Sequence, residues 1–183
     1  MKKLLSWLAA LVLATGSSLF VPAAVATGPT PYCGIVWGSL EKAEDTYTAG
    51  AVTNVRSGRH ECFDRLVVDL DGDVAGYSVR YVPSVHQDGS GNLVPLRGGA
   101  FLSVVVNAPS YDEDGNATYT PADQEELVYV TGYDTFRQVA WAGSFEGRTT
   151  LGLGVRARLP FRVFVLEGPC DGSRVVIDVA HRW

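Results

Sequence analysis

Apolar and polar residues alternate along most of the chain in short runs, and glycine, proline, asparagine and aspartate separate these runs. In Phe63–Leu70, for example, Leu66, Val68 and Leu70 share one side, which is typical of a half-buried strand. Ala100–Asn107 is apolar on both sides, as central strands are. The pattern predicts strands at Ala51–Arg56, Phe63–Leu70, Gly76–Val82, Ala100–Asn107, Glu126–Val130, Phe136–Trp141, Thr149–Arg158, Phe161–Leu166 and Arg174–Ala180.

The number and spacing of these strands predict one all-β domain. Many short strands divided by turn residues are typical of a sandwich or a barrel, and the pattern leaves both open. The polar stretch Glu41–Ala49 predicts a loop, and Ala122–Val130 has a weak helical pattern. The last two predicted strands flank Glu167–Gly172, a turn-rich segment, and are expected to form an antiparallel hairpin.

The N-terminus has the three parts of an export signal. Lys2 and Lys3 are followed by the uncharged apolar run Leu4–Val21, and the small residues Ala24 and Ala26 mark a cleavage site. We therefore expect the signal to be removed after export. The expected organisation is a cleaved signal peptide at 1–26, an N-terminal segment with Cys33 and Trp37 at 27–50 and a folded domain at 51–183.

The charge and the hydropathy of the chain limit where the protein can reside and which partners it can bind. The chain has 20 acidic and 15 basic residues and a net charge of −5 at pH 7. Loss of the signal would remove two lysines and no acidic residue, so the exported form is more acidic still. Nucleic acid and anionic membranes are therefore not expected as partners. No second apolar span follows the signal, and we expect a secreted, extracellular or cell-wall-associated protein.

Three cysteines follow the signal: Cys33, Cys62 and Cys170. Disulfides form outside the cytoplasm, and three cysteines allow three single pairings. We favour Cys33–Cys62, which would tie the N-terminal segment to the first long strand and contribute about 3.5 kcal/mol in the chain-entropy model. Cys170 would then remain as a thiol that could pair between molecules. No two cysteines have the spacing of zinc ligands.

The densest polar cluster lies just before and at the start of a predicted strand, and it contains Arg59, His60, Glu61, Asp64 and Arg65. The two arginines could hold a carboxylate or phosphate through bidentate hydrogen bonds. His60 beside Glu61 or Asp64 could move a proton. The competing explanation is a structural ion-pair network at the end of a strand.

A second basic stripe comprises Arg156, Arg158 and Arg162. Arg156 and Arg158 stand two residues apart on a predicted strand and would share one side of it. If the strands are neighbours, Arg156 and Arg158 would line one groove with Arg59 and Arg65. The alternative for the stripe is cross-strand pairing with Asp69, Asp178 or Glu146. Trp141 is a candidate for stacking on sugar rings, and core packing is its alternative role. Because no His-Glu-x-x-His or Gly-x-Ser-x-Gly motif occurs, we assign no catalytic residue, metal or cofactor.

A resemblance to a known family rests on five stretches, Arg56–Leu70, Gly76–Val82, Val106–Tyr111, Phe145–Phe164 and Val175–His181. In them the chain resembles the AMIN-like domain of exported actinobacterial proteins and lipoproteins. The resemblance implies a β-sandwich, similar to the AMIN domains that accompany cell-wall amidases and secretins, and a role at the envelope through peptidoglycan. It supplies no catalytic residues. The chain lacks the lipid-attachment cysteine of many relatives.

Three functions are consistent with these observations. The first is a non-catalytic envelope module that binds peptidoglycan or another wall polymer. The second is a wall-acting hydrolase that uses His60 with Asp64 or Glu61. The third is a partner-binding or assembly protein that uses an open sheet edge or Cys170. For the first function, the candidate ligand-binding residues are Arg59, His60, Asp64, Arg65, Arg156, Arg158 and Trp141.

Overall fold

The computed structural model describes residues 30–183 apart from 49, 74 and 169. The expected signal peptide, residues 1–26, lies outside the described residues. A 3-10 turn at Tyr32–Gly34 precedes the strands. The strands are β1 (Lys42–Glu44), β2 (Ala51–Arg59), β3 (Phe63–Asp71), β4 (Tyr77–Val82), β5 (Val85–His86), β6 (Leu93–Val94), β7 (Ala100–Val106), β8 (Phe136–Phe145), β9 (Arg148–Val155), β10 (Phe161–Glu167) and β11 (Ser173–Ala180).

The strands form two packed sheets and one small hairpin. The larger sheet has five strands in the order β1-β4-β7-β9-β8, and the other has four in the order β10-β11-β3-β2. Strands β5 and β6 form a separate two-stranded hairpin. Every pairing between these strands is antiparallel. The protein is therefore an all-β antiparallel sandwich, as the strand pattern and the resemblance together predicted.

The core lies between the two sheets and follows the alternation along each strand. Leu66 and Val68 of β3 and Ile177 of β11 face Leu102 and Leu153 of the larger sheet within one buried cluster. All five residues are 0% exposed, so the apolar side of each strand is withdrawn from water. Burial of apolar area of this kind is the main favourable contribution to the free energy of folding.

The outer face of the five-stranded sheet is covered in part, over β8 and β9. A second buried cluster joins Val85 and Val94 of the hairpin to Ala140 on β8. Gly152 and Gly154 alternate with core residues on β9 and therefore point outward; a Cβ on Gly152 would lie 2.8 Å from the Leu96 side chain, and one on Gly154 would lie 1.9 Å from the Arg97 carbonyl oxygen. The glycine spacing of β9 thus allows a covering segment to approach the sheet.

Two sequence-based expectations were wrong. The predicted loop after residue 40 contains β1, which pairs with the edge strand β4. The predicted strand at Glu126–Val130 does not form. That segment runs beside β8 and makes separate backbone hydrogen bonds there: Leu127 donates to the Val139 carbonyl at 2.8 Å, and Trp141 donates to the Gln124 carbonyl at 2.7 Å. Two isolated bonds do not make a ladder.

The N-terminal segment is attached to the sandwich by a disulfide. Cys33 and Cys62, the pair favoured from the sequence, are joined, and their Cα atoms lie 6.5 Å apart. The bond connects the 3-10 turn to the residue just before β3. Cys170 is exposed and is free within the described part of the chain. In that same part, no helix has the length and apolarity needed to cross a bilayer.

Candidate functional site

The outer face of the four-stranded sheet carries a row of charged residues set by the strand register. Arg162 on β10 lies opposite Asp178 on β11, which lies opposite Arg65 on β3. Aromatic residues from the same strands and from the N-terminal segment surround this row. We call this surface the arginine–aromatic face, and it comprises Trp37, Phe63, Arg65, Arg162, Phe164 and Asp178.

Two guanidinium groups share one carboxylate at the centre of the arginine–aromatic face. Arg65 donates from Nε to Asp178 Oδ1 at 2.6 Å and from Nη2 to Oδ2 at 2.9 Å. Arg162 donates from Nε to Oδ2 at 2.8 Å. The Asp178 side chain is 0% exposed, whereas those of Arg65 and Arg162 are 25% and 31% exposed. The group has one positive charge more than its carboxylate neutralises.

Aromatic rings flank both guanidinium groups. The Arg162 guanidinium carbon lies 5.0 Å from the Phe164 ring centre, 5.4 Å from Phe63 and 5.6 Å from Trp37. The corresponding atom of Arg65 lies 5.1 Å from Phe63 and 5.4 Å from Phe164. These distances are within the range of cation–π attraction. The rings hold the guanidinium groups in place and give the face a partly apolar surface.

His60 lies at the edge of this face, and among the described residues it makes no hydrogen bond or ion pair with Asp64 or Glu61. Its ring stacks on Phe63, with ring centres 4.6 Å apart and an angle of 25° between the planes. Asp64, its proposed partner, is 0% exposed. Asp64 Oδ2 accepts hydrogen bonds from the Thr135 and Phe136 amides at 2.6 and 2.9 Å. Its carboxylate is thus engaged on the core side of β3.

A second ionic cluster closes one end of the sandwich and includes Asp64. His181 Nε2 lies 3.2 Å from Asp64 Oδ1 and 3.8 Å from Asp134 Oδ2. Arg59 Nε lies 3.7 Å from Asp134 Oδ2, and Arg59 Nη1 donates to the Gly132 carbonyl at 3.0 Å. The donor atoms of Asp64, Asp134 and His181 all lie within 4.8 Å of one another, close enough for a cation. The Asp64 carboxylate already accepts hydrogen bonds from the Thr135 and Phe136 amides, and the Asp134 carboxylate is paired with Arg59.

Arg156 and Arg158 lie elsewhere, because β9 ends at Val155 and belongs to the five-stranded sheet. Arg156 donates from Nη2 to the His181 carbonyl. Arg158 donates to the Ser39 carbonyl at 3.1 Å, and its guanidinium carbon lies 4.7 Å from the Tyr81 ring centre. Burial raises the pKa of Tyr81 above its ordinary value. Arg156 and Arg158 therefore stabilise loops and do not share a groove with Arg65.

Trp141 also lies apart from the arginine–aromatic face. It is half-buried, packs against the core, and its ring centre lies 5.6 Å from that of Tyr119. The tryptophan that lies beside the arginines is Trp37. The indole Nε1 of Trp37 donates to the Tyr32 carbonyl at 2.8 Å, which fixes the ring within the disulfide-bonded segment.

A cleft of about 570 Å³ lies beyond the turn that Arg59 contacts. Val130 and Phe136 form an apolar part of its lining. Tyr129 also lines the cleft and is 80% exposed. The cations at its edge are occupied internally: Arg97 pairs with Glu126, and Arg137 donates to the Tyr133 and Phe136 carbonyls at 3.1 and 2.8 Å. The cleft is therefore a concave surface, but its arginines have fewer free donors for an anion than those of the arginine–aromatic face.

The sequence singled out Arg65 as a candidate binding residue and Asp178 as a possible cross-strand partner of the stripe that contains Arg162, a pairing that the structure confirms. Phe63 and Phe164 were missed as site residues. The alternation in β10 does place Arg162 and Phe164 on the same side. That signal could have found them, but only with the register that sets β10 and β3 on either side of β11.

The comparison with protein families supplies the assignment. Residues 50–181 match the family model for the AMIN-like domain. The chain belongs to the AMIN-like domain family. No curated protein and no solved structure gives a significant match.

The AMIN-like match includes every strand from β2 to β11 and most of the arginine–aromatic face. Trp37 and Cys33 lie before the matched region. The indole ring of Trp37 and the disulfide from Cys33 to Cys62 are therefore additions to the matched AMIN-like domain. The domain assignment and the disulfide together indicate an extracytoplasmic protein.

Proposed function

We propose that this AMIN-like protein is a secreted envelope module that binds peptidoglycan on its arginine–aromatic face. The export signal expected at residues 1–26 supports secretion, and the resemblance to AMIN domains supports a wall ligand. The observation that carries the proposal is the pair of half-buried guanidinium groups, Arg65 and Arg162, set among three aromatic rings on an uncovered sheet.

The chemistry of the face suits a polymer of sugars and short peptides. Aromatic side chains offer flat apolar surfaces on which pyranose rings and alkyl groups can pack, and guanidinium groups donate to carbonyl and carboxylate oxygens. The rings and the charges are held by the sheet and the disulfide, so little conformational entropy is lost when a ligand binds.

Co-sedimentation with insoluble wall sacculi tests this proposal. The exported protein should sediment with sacculi, and Phe164→Ala should bind about five- to tenfold more weakly, because it removes one stacking ring worth about 1 kcal/mol. Phe145→Ala, which removes a half-exposed ring from the five-stranded sheet, is the matched control and should bind like the wild type. Full recovery of the wild-type protein in the supernatant would refute the proposal.

A separate experiment tests the hypothesis that the protein is a wall-acting hydrolase. Asp64 is bonded to two backbone amides and to His181, and His60 stacks on Phe63. No contact in the described part of the chain therefore favours a catalytic pair of His60 with Asp64 or Glu61 over a structural role. Release of soluble fragments from labelled sacculi, abolished by His60→Ala in a folded protein, would revive that hypothesis.

A further inference from the structure

We propose that the arginine–aromatic face recognises a carboxylate of the wall peptides, held between the guanidinium groups of Arg65 and Arg162. This inference rests on the proposed function, and it specifies the group on the wall that the face binds.

The charge balance of the face favours an anion. Two guanidinium groups surround one carboxylate, that of Asp178, so one positive charge remains uncompensated within the group. This happens in a chain whose net charge is −5. Rings on either side lower the local polarity, which strengthens the attraction between the remaining charge and an anion.

Donors remain to receive that anion. Within the described residues, Arg65 donates hydrogen bonds to Asp178 from Nε and Nη2. Arg162 donates to Asp178 from Nε, and its Nη2 makes an ion-pair contact with the same carboxylate. The Nη1 group of each arginine is therefore left for an external acceptor. Because the two side chains are 25% and 31% exposed, a ligand can reach them from solvent.

A carboxylate matches these donors better than other anions of the wall. It is planar and carries a single charge, equal to the excess on the face, and guanidinium groups bind it with two parallel or bridging hydrogen bonds. Wall peptides carry free carboxylates next to small alkyl groups, and the alkyl groups can pack on Phe63, Phe164 and Trp37. Phosphodiesters of other wall polymers are the rival, and the experiment separates the two.

The experiment compares three preparations of sacculi: untreated, amidated at their carboxylates with a carbodiimide and methylamine, and stripped of phosphodiester-linked polymers with hydrofluoric acid. We expect binding to fall about tenfold on amidated sacculi and to be unchanged on stripped ones. Amidation removes negative charge from the wall, so non-specific attraction to an acidic protein would increase, and a loss cannot come from that source.

Arg162→Gln supplies the variant. It removes the excess charge but leaves Asp178 with both hydrogen bonds from Arg65, so folding should be preserved. It should bind untreated sacculi about tenfold more weakly and should no longer distinguish them from amidated sacculi. Arg148→Gln, on the other sheet, makes the same change in charge and should behave like the wild type.

The outcomes are distinct. Equal binding of the wild type to untreated and amidated sacculi would overturn the carboxylate inference and leave the proposed function standing. Loss on stripped sacculi alone would assign the face to a phosphate and would also overturn it. Failure to bind any of the three preparations would refute the proposed function itself.

Discussion

Over β8 and β9, the outer face of the five-stranded sheet is packed under the β5–β6 hairpin and the segment that follows it. The outer face of the four-stranded sheet instead carries charged and aromatic side chains that reach solvent. The residues differ accordingly. Gly152, Gly154 and Ala140 leave room for the covering segment. Arg65 and Phe164 are large and cover part of their own sheet. The four-stranded sheet therefore offers a broad charged and aromatic surface for a ligand.

The same contrast recurs on a smaller scale within the open face. Asp178 is shared by two arginines and is 0% exposed. Asp69, on β3, makes an ion pair with Arg56 and accepts a hydrogen bond from Asn54, and the side chains of Asp69 and Arg56 are 21% and 50% exposed. Arg56 donates from Nε and Nη2 at 2.8 and 2.9 Å, and these hydrogen bonds raise its pKa. Rings surround the first group, so its charges are less hydrated than those of the second.

The largest expected effect comes from breaking the covered face. Gly154→Ala would place a Cβ 1.9 Å from the Arg97 carbonyl oxygen. Because that neighbour is backbone, either the cover or β9 must move, and we expect a loss of about 3 kcal/mol in the free energy of unfolding, at the upper end for overpacking. Urea denaturation followed by tryptophan fluorescence measures it.

Gly58→Ala on the open face is the matched control. A Cβ there would meet only the His60 ring, at an ordinary 3.5 Å. Since alanine is favoured over glycine within a strand, we expect a change between zero and a gain of about 0.5 kcal/mol. Similar losses in the two variants would contradict the distinction between a covered and an open face.

Much of this organisation could be predicted from the sequence, because it depends on local periodicity. Leu66, Val68 and Leu70 share one side of β3 and face the core. The hairpin of β10 and β11 forms where turn residues separate two apolar runs. The family resemblance was confirmed over residues 50–181. The disulfide also followed from a short list, since three cysteines leave few pairings.

The site was harder to predict, because it depends on register between distant strands. Arg65 and Asp178 are 113 residues apart in the chain and yet directly opposite each other. Nothing local says that β11 separates β3 from β10, so Arg162 could not be joined to Arg65 beforehand. Arg156 and Arg158 show the converse, because their predicted strand ends earlier and lies in the other sheet.

The second expected effect tests the buried carboxylate. Asp178→Asn keeps the shape but leaves two guanidinium groups side by side without a counter-charge. Breaking a fully buried pair costs about 3–5 kcal/mol; since these arginines reach solvent, we expect about 2 kcal/mol, measured by urea denaturation. Adding Arg162→Gln removes the repulsion, so the double variant should be more stable than Asp178→Asn alone. Simple additivity would contradict the account of a shared carboxylate.

The smallest expected effect tests the exposed pair on the same face. Asp69→Asn removes the partner of Arg56, but water hydrates both side chains, and exposed pairs contribute about 0.5 kcal/mol. The difference from wild type should shrink further in about 0.5 M salt, because exposed charges are screened at that ionic strength. The Asp178→Asn loss should persist in the same salt, since rings shield that group. If both losses vanished together, the two carboxylates would share one environment, and the special character of the arginine–aromatic face would have to be abandoned.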